Sequence, residues 1–215
     1  MAAICVVLLV ASQLLLPRLA VHTVRQRVGR YGPVLSAHVS AFPAFELLWG
    51  HAQSASVSTG PLRMTQAQAT DLLQGARGID SLDLSATSLV VEPLRLEQVK
   101  MQKRNHAVRL LATLTLTDLR AAMPAGVQLQ ALSGGGEGAL EVTVGGELFG
   151  VSASVVAVVQ AAEGKLVAAP RGLSLGGLTQ ITLFSDPHLS VESATFTPLP
   201  GAAQSWRLDL RAIQS

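Results

Sequence analysis

The sequence is poor in cysteine, in charged residues and in aromatic residues. Cys5 is the only cysteine of the 215-residue chain, so no intramolecular disulfide can form. Charged residues make up 14% of the chain, against roughly a quarter of a typical soluble domain, whereas apolar residues make up 49%. Aromatic residues contribute only 4%, so the apolar mass is mainly aliphatic. This balance predicts contact with a membrane, an internal cavity lined by small aliphatic side chains, or both.

The usual signatures of nucleic-acid and metal binding are also missing. The formal net charge is only +2, and the sequence has no zinc-finger, helix-turn-helix or ribonucleoprotein signature. Its five histidines are scattered, and no two of them have the spacing that places both imidazoles on one metal ion. The sequence therefore predicts no nucleic-acid partner, no metal ion and no cofactor.

One short motif is similar to a catalytic one. Residues Gly172–Gly176 read G-x-S-x-G, the pattern of a hydrolase nucleophile elbow with Ser174 at the nucleophile position. That elbow needs a strand that turns into a helix, but the residues that follow are strand-like. Asp186 and His188 lie only 12 and 14 positions later, too close for separate catalytic loops. We interpret the motif as a turn and predict that the protein is not an enzyme; the hydrolase alternative requires a reactive Ser174.

The N-terminal segment Ala2–Leu16 is uncharged and is followed by Pro17 and a cluster of arginines. Its length lies between the core of a signal peptide and a membrane-spanning helix of ~20 residues. Because the arginines follow the apolar core and no good cleavage site is present, we predict that residues 1–17 are an uncleaved anchor. The alternatives are a cleaved signal peptide and a buried helix of the globular domain. The arginines favour a cytoplasmic domain by the positive-inside rule, whereas a misassigned start codon that hides an upstream basic region would favour export.

The rest of the chain divides into a basic helix with its connector, residues 18–33, and a β-rich domain, residues 34–215. Period-two alternation of apolar residues predicts strands through most of this domain. Thr115 and Asp118 form a capping-box-like pair, which predicts a helix over Thr115–Met123. We predict an α+β, β-dominated fold with a long curved antiparallel sheet and few helices, preceded by an N-terminal membrane helix. Such a sheet must close on itself or wrap something.

An aromatic and aliphatic block follows the first predicted strand. At helical spacing Phe42, Phe45 and Trp49 share one face. Two interpretations stay open: a short helix that fills the core, and a surface that contacts a membrane or a ligand.

A group of basic residues surrounds a predicted hairpin turn at residues 103–106. Arg95, Lys100, Lys103 and Arg104 are predicted to form a cationic rim that attracts anionic headgroups, at ~1 kcal/mol per residue near a membrane surface. The alternative is an ordinary solvated hairpin tip.

Two segments follow the arginine-rich helix in a characteristic order. Val39–Gly50 contains Phe-Pro and ends in Leu-Leu-Trp-Gly, and Leu114–Pro124 contains Thr-x-x-Asp-Leu before its proline. In this order, and over about residues 19–210, the chain resembles the actinobacterial LmeA-like phospholipid-binding family. It departs from that family at Ala41, where a glycine often precedes Phe-Pro, and in the long stretch of residues 65–74. The resemblance implies an envelope protein with a tubular lipid-binding-like fold that encloses an apolar channel, and it implies no catalytic residues.

The leading prediction is a non-enzymatic phospholipid-binding or lipid-transfer protein of the bacterial cell envelope, anchored in the membrane with its domain outside the cytoplasm. Its expected partners are a phospholipid ligand, the membrane and an envelope-assembly protein. The alternative is an anchored scaffold that docks an envelope protein through its sheet edge and has a core filled by side chains. The residues predicted to contact acyl chains are Phe42, Phe45, Leu48, Trp49, Leu119, Met123, Phe149, Val151 and Val155.

Overall fold

The computed structural model describes residues 21–41, 51–92, 94–123, 128–131, 138–148, 151–171, 180–201 and 204–214. Within these ranges the chain forms twelve strands and three α-helices, a β-dominated α+β fold as predicted. In chain order the elements are α1 (residues 21–29), β1 (Val34–Ser40), β2 (Ala52–Met64), α2 (Gln66–Gly75), β3 (Ile79–Val91), β4 (Leu94–Arg104), β5 (Ala107–Thr115), α3 (Leu116–Ala121), β6 (Gln128–Ala131), β7 (Leu140–Leu148), β8 (Val151–Ala162), β9 (Lys165–Pro170), β10 (Ile181–Phe184), β11 (Leu189–Pro198) and β12 (Ser205–Gln214).

The strands form two sheets. Seven make a mixed sheet in the order β1-β2-β3-β4-β5-β12-β11, and five make a curled antiparallel sheet in the order β10-β9-β8-β7-β6. The prediction of a wholly antiparallel sheet is wrong for one pair, because β2 and β3 run parallel. Parallel neighbours need a crossover, and α2 supplies it. The alternation of side chains along a strand is the same in both pairings, so the pattern did not reveal the parallel pair.

Two of the helices begin at threonine caps. The Thr65 hydroxyl accepts from the Gln68 N–H at 3.3 Å, and the Gln68 side-chain oxygen accepts from the Thr65 N–H at 2.9 Å, which makes a capping box at α2. At α3 the Thr115 hydroxyl accepts from the Asp118 N–H at 3.1 Å. The helix predicted over Thr115–Met123 is confirmed as α3, which ends at Ala121, two residues earlier than predicted.

Strand β4 changes its buried face at a bulge. Even-numbered residues such as Leu96 are buried before Gln98, and odd-numbered residues such as Val99 are buried after it. Gln98 has a φ of 50°, and the register with β5 shifts at this point, as an inserted residue requires. The bulge therefore turns Lys103 towards the interior. Lys103 and Arg104 lie within β4, and the hairpin turn is made by residues 105–106, a shorter turn than predicted.

The two sheets meet in a tightly filled core around α3. The helix contacts β4, β5 and β6, while β11 contacts β8 and β9 of the five-stranded sheet. Side chains from four elements are at most 2% exposed here. We call these residues the packed region: Leu114, Leu116, Leu119, Leu140, Val142 and Val159.

Helix α1 is attached to the seven-stranded sheet by its connector. Val28 of α1 is buried in the main core, and the Arg63 N–H of β2 donates to the Tyr31 carbonyl at 3.0 Å. Gly32 passes so close to β2 that a Cβ atom there would collide with the Pro61 carbonyl oxygen. The lack of a side chain at Gly32 therefore allows α1 to lie over the inner face of the sheet.

Candidate functional site

An aliphatic cavity of about 260 Å³ lies between the inner face of the seven-stranded sheet and the two helices α1 and α2, and β9 and β10 of the five-stranded sheet also line it. Arg27 and Gln66 are the only polar side chains in its described lining, and Phe184 is the only aromatic one. Arg27, Gln66 and Gly75 are exposed, so they mark where the cavity meets solvent. We call the cavity and its lining the hollow region. Its aliphatic lining includes Val28, Val57, Leu62, Leu72, Leu84, Leu94, Leu110, Leu183, Leu208 and Leu210.

The cavity remains unfilled because a narrow helix covers it. None of the residues of α2 is fully buried, and Ala69, Leu72 and Leu73 are only half-buried against the core. A sheet in this position would present a continuous layer of inward side chains, whereas a helix presents one stripe. Helix α2 therefore spans the gap above the sheet without filling it.

Hydrogen bonds on two sides of α2 hold this helix over the cavity. The Thr70 hydroxyl donates to one carboxylate oxygen of Asp186, and the other accepts from the His188 N–H at 2.8 Å. At the other side, the Gln214 side-chain amide donates to the Leu73 carbonyl at 2.9 Å. These contacts join α2 to the segment after β10 and to the end of β12.

The predicted acyl-chain residues do not gather at this cavity. Leu119 belongs to the packed region and is 1% exposed, Met123 is half-buried after α3, and Val155 is half-buried in β8. None of these three is in the described lining. Val151 lies in β8, but the structure does not describe its side chain. The predictions for Phe42, Phe45, Leu48, Trp49 and Phe149 fall outside the described residues and stay predictions.

The structure also does not bring the four predicted headgroup cations into one rim. Arg95 and Arg104 stand at opposite ends of β4, roughly 30 Å apart along the strand. Each is paired with a carboxylate: Arg95 with Glu97 at 3.5 Å, and Arg104 with both oxygens of Asp83 at 3.0 Å. Lys100 is exposed on the outer face of the same strand.

Lys103, the fourth of these cations, is buried. Its side chain is turned inward by the β4 bulge, the residue is 2% exposed, and its ammonium donates to the Ile79 carbonyl. Burial lowers the pKa of Lys103, while the nearby Asp80 carboxylate acts in the opposite direction. The ammonium is therefore engaged by the backbone beside the cavity and does not face a membrane surface.

The hydrolase-like motif, residues 172–176 with Ser174, lies outside the described residues. Asp186 and His188, which follow it in the sequence, are described. Asp186 accepts from the backbone N–H of His188, and the His188 ring lies 3.0 Å from the Arg77 guanidinium. Asp186 thus takes part in the attachment of α2, and His188 contacts Arg77, which follows that helix.

Sequence reasoning missed the contribution of both helices to the cavity. Val24, Arg27 and Val28 share one face of α1 and line the cavity, whereas the sequence predicted only a basic helix within residues 18–33. Their i, i+3, i+4 spacing was the available signal. For α2 the signal was the capping box that begins at Thr65, which fixes the start of the helix and hence its inward stripe.

The described helices are each too short or too polar to cross a bilayer. Groups of three or more His, Cys, Asp or Glu residues arranged to hold a metal ion are not found in the described part of the chain. The predicted anchor, residues 1–17, lies outside the described residues.

Comparisons with protein-family models, with curated proteins and with solved structures found no match for this chain. The resemblance noted in the sequence therefore stays a prediction. The cavity is the feature from which function has to be argued.

Proposed function

We propose that this chain is a non-enzymatic phospholipid-binding or lipid-transfer protein of the bacterial cell envelope, related to the LmeA-like family and tethered by its N-terminal segment with the domain outside the cytoplasm. The ligand's acyl chain occupies the hollow region. The finer fold that goes with this proposal is tubular lipid-binding-like, with the cavity as part of an apolar channel.

The observation that carries the proposal is the size and chemistry of the cavity. About 260 Å³ of space is lined almost entirely by aliphatic side chains, and it opens to solvent beside Arg27, Gln66 and Gly75. Water in this space finds few polar partners in the lining. An acyl chain that enters it would contribute ~0.8 kcal/mol for each methylene taken out of water.

The chemistry of the lining favours a flexible chain over a ring system. Phe184 is the only aromatic side chain in the described lining, and apart from Arg27 and Gln66 aliphatic side chains of moderate size supply the rest. The scaffold alternative expects a core that is filled by side chains throughout. A void of this size therefore supports lipid binding over a purely structural role.

Photo-crosslinking tests the proposal on the full-length chain. The protein is placed in vesicles of phosphatidylcholine and phosphatidylglycerol that carry a photoreactive group in the acyl chain, and crosslinked peptides are identified by mass spectrometry. We expect crosslinks in α2 and β3, which line the cavity. Crosslinks confined to residues 1–20 would contradict the proposal.

A matched pair of variants makes this experiment specific. Ala69 is a half-buried lining residue of α2, and Ala67 is an exposed residue of the same helix that does not line the cavity. Ala69→Phe adds a ring to the hollow region. It should lower cavity crosslinking at least fivefold, because the ring and the acyl chain compete for the same volume. Ala67→Phe should leave the yield unchanged.

A further inference from the structure

The one cationic side chain in the described lining, Arg27, stands at the mouth of the cavity. It lies on the same face of α1 as Val24 and Val28, whose side chains enter the apolar interior. Its guanidinium is 3.2 Å from the position that a Cβ atom would take on Gly75, the last residue of α2. The last turn of α2 has no basic residue of its own. The negative end of that helix therefore helps to hold the Arg27 guanidinium at the mouth.

Arg27 differs from several surface arginines in its ion pairing, although other exposed arginines such as Arg25 are also not ion-paired among the described residues. Arg95, Arg104 and Arg109 each lie within ion-pair distance of a carboxylate. No carboxylate in the described ranges lies within 4.0 Å of the Arg27 guanidinium. A guanidinium offers a planar set of donors that matches a carboxylate or a phosphate. Arg27 is thus available to an anion at the point where the aliphatic lining ends.

The volume of the cavity limits how much of a lipid it can take. Ligand pockets for small molecules are usually about 300–1,000 Å³, so this cavity of about 260 Å³ is at the small end. A cavity of this size favours one acyl chain segment over the two chains of a phospholipid.

We infer that the cavity takes a single-chain anionic amphiphile, a fatty carboxylate or a monoalkyl phosphate group, with its charge at Arg27 and its chain beneath α2. This inference rests on the proposed lipid-binding function and narrows the ligand class. A diacyl phospholipid would place only one chain in the cavity, with its phosphate near Arg27.

The test compares headgroups on the same chain. Full-length protein in phosphatidylcholine vesicles is titrated with photoreactive decanoic acid, photoreactive decyl phosphate or photoreactive decanol, and crosslinking to the α2–β3 peptides is measured. The ratio of acid to alcohol crosslinking is then compared between variants, so that membrane partitioning of each probe cancels. We expect Arg27→Gln to lower the acid-to-alcohol and phosphate-to-alcohol ratios by roughly three- to tenfold, with decanol crosslinking unchanged. Comparison of decanoic acid with decyl phosphate identifies which anion is preferred.

Arg25→Gln is the matched control, because Arg25 is an exposed residue of the same helix that does not line the cavity. Its headgroup ratios should equal those of the unmodified chain. Unchanged ratios in Arg27→Gln, or equal losses in both variants, would overturn the role of Arg27 and leave only a structural contact with the end of α2.

Occupancy of the cavity by a single chain is tested by a separate crosslinking experiment. Phosphatidylglycerol is supplied with the photoreactive group on either acyl chain and compared with the corresponding single-chain lysolipid. We expect the lysolipid to give the higher cavity yield. A cavity yield from the diacyl lipid equal to or above that of the lysolipid would overturn single-chain occupancy while leaving the proposed lipid binding intact, whereas no cavity crosslinks with any probe would contradict the proposed function itself.

Discussion

The packed region and the hollow region share the same seven-stranded sheet but are covered differently. Above the packed region, strands of the five-stranded sheet and α3 bring Leu119, Leu140 and Val142 to almost complete burial. Above the hollow region, α1 and α2, with β9 and β10 at one side, leave about 260 Å³ unfilled. One inner face thus produces a close-packed core or a cavity, depending on which element lies over it.

This difference separates the residues that stabilise the fold from those that would bind a ligand. Truncation in the packed region creates a new void, whereas truncation in the hollow region enlarges an existing one. The cost of a void depends on how completely the site was filled before. Three predictions test whether the two regions differ in this way.

The largest effect is expected for Leu119→Ala in the packed region. Leu119 is 1% exposed, so its truncation should lower the free energy of unfolding by about 2–5 kcal/mol. Leu110→Ala is the counterpart, since Leu110 is half-buried and lines the cavity, and its cost should be about 1 kcal/mol. Urea unfolding midpoints measure both. Equal losses would show that the hollow region is as well filled as the packed one.

A second effect is expected where α1 is attached above the hollow region. Gly32→Ala introduces a Cβ atom against the Pro61 carbonyl oxygen, so the connector must shift, at a cost of about 1–3 kcal/mol. Gly29→Ala is the control, because a Cβ atom there meets nothing within 4 Å and alanine favours a helix by about 1 kcal/mol. Hydrogen exchange of α1 amides should rise in the first variant only. Unchanged protection in Gly32→Ala would show that the connector does not hold α1.

The smallest effect is expected at the edge of the cavity, for Lys103→Met. Because the pKa of Lys103 is lowered in the folded chain, the unfolded chain binds more protons between that pKa and the ordinary value of 10.5. Stability should therefore rise with pH through this window in the unmodified chain, and this rise should be absent in the variant. At neutral pH the variant should be equal in stability or about 1 kcal/mol more stable, since a buried charge is removed.

Lys100→Met on the outer face of β4 is the control for this pH dependence. Lys100 is exposed, so its replacement should keep the alkaline rise. Unfolding free energies measured between pH 8 and pH 11 supply the comparison. An alkaline rise that survives Lys103→Met would assign it to another group.

Much of the local structure could be predicted from the sequence. Strands fill most of the domain, as the alternation predicted, and α3 begins at the predicted cap Thr115. These features depend on alternation and on capping, which act over a few residues. The candidate site could not be predicted in the same way, because Arg27, Leu84 and Leu208 lie far apart in the chain and meet only across the cavity.

The case of Lys103 shows where local patterns fail. Its neighbours predicted an outward position beside Arg104, and one inserted residue at Gln98 reversed the side of the sheet that it occupies. A bulge has a weak local signature, because its cost and benefit depend on the pairing with the neighbouring strand.

The sequence by itself determined the aliphatic character of the interior, the positions of most strands and the starts of the two capped helices, since these follow from composition and from contacts within a few residues. Only the tertiary structure decided that β2 and β3 run parallel, that α2 covers a void and that Arg27 stands at its mouth. These outcomes depend on which arrangement of the strands and helices buries the most apolar surface. That burial comes from contacts between segments that are distant in the chain.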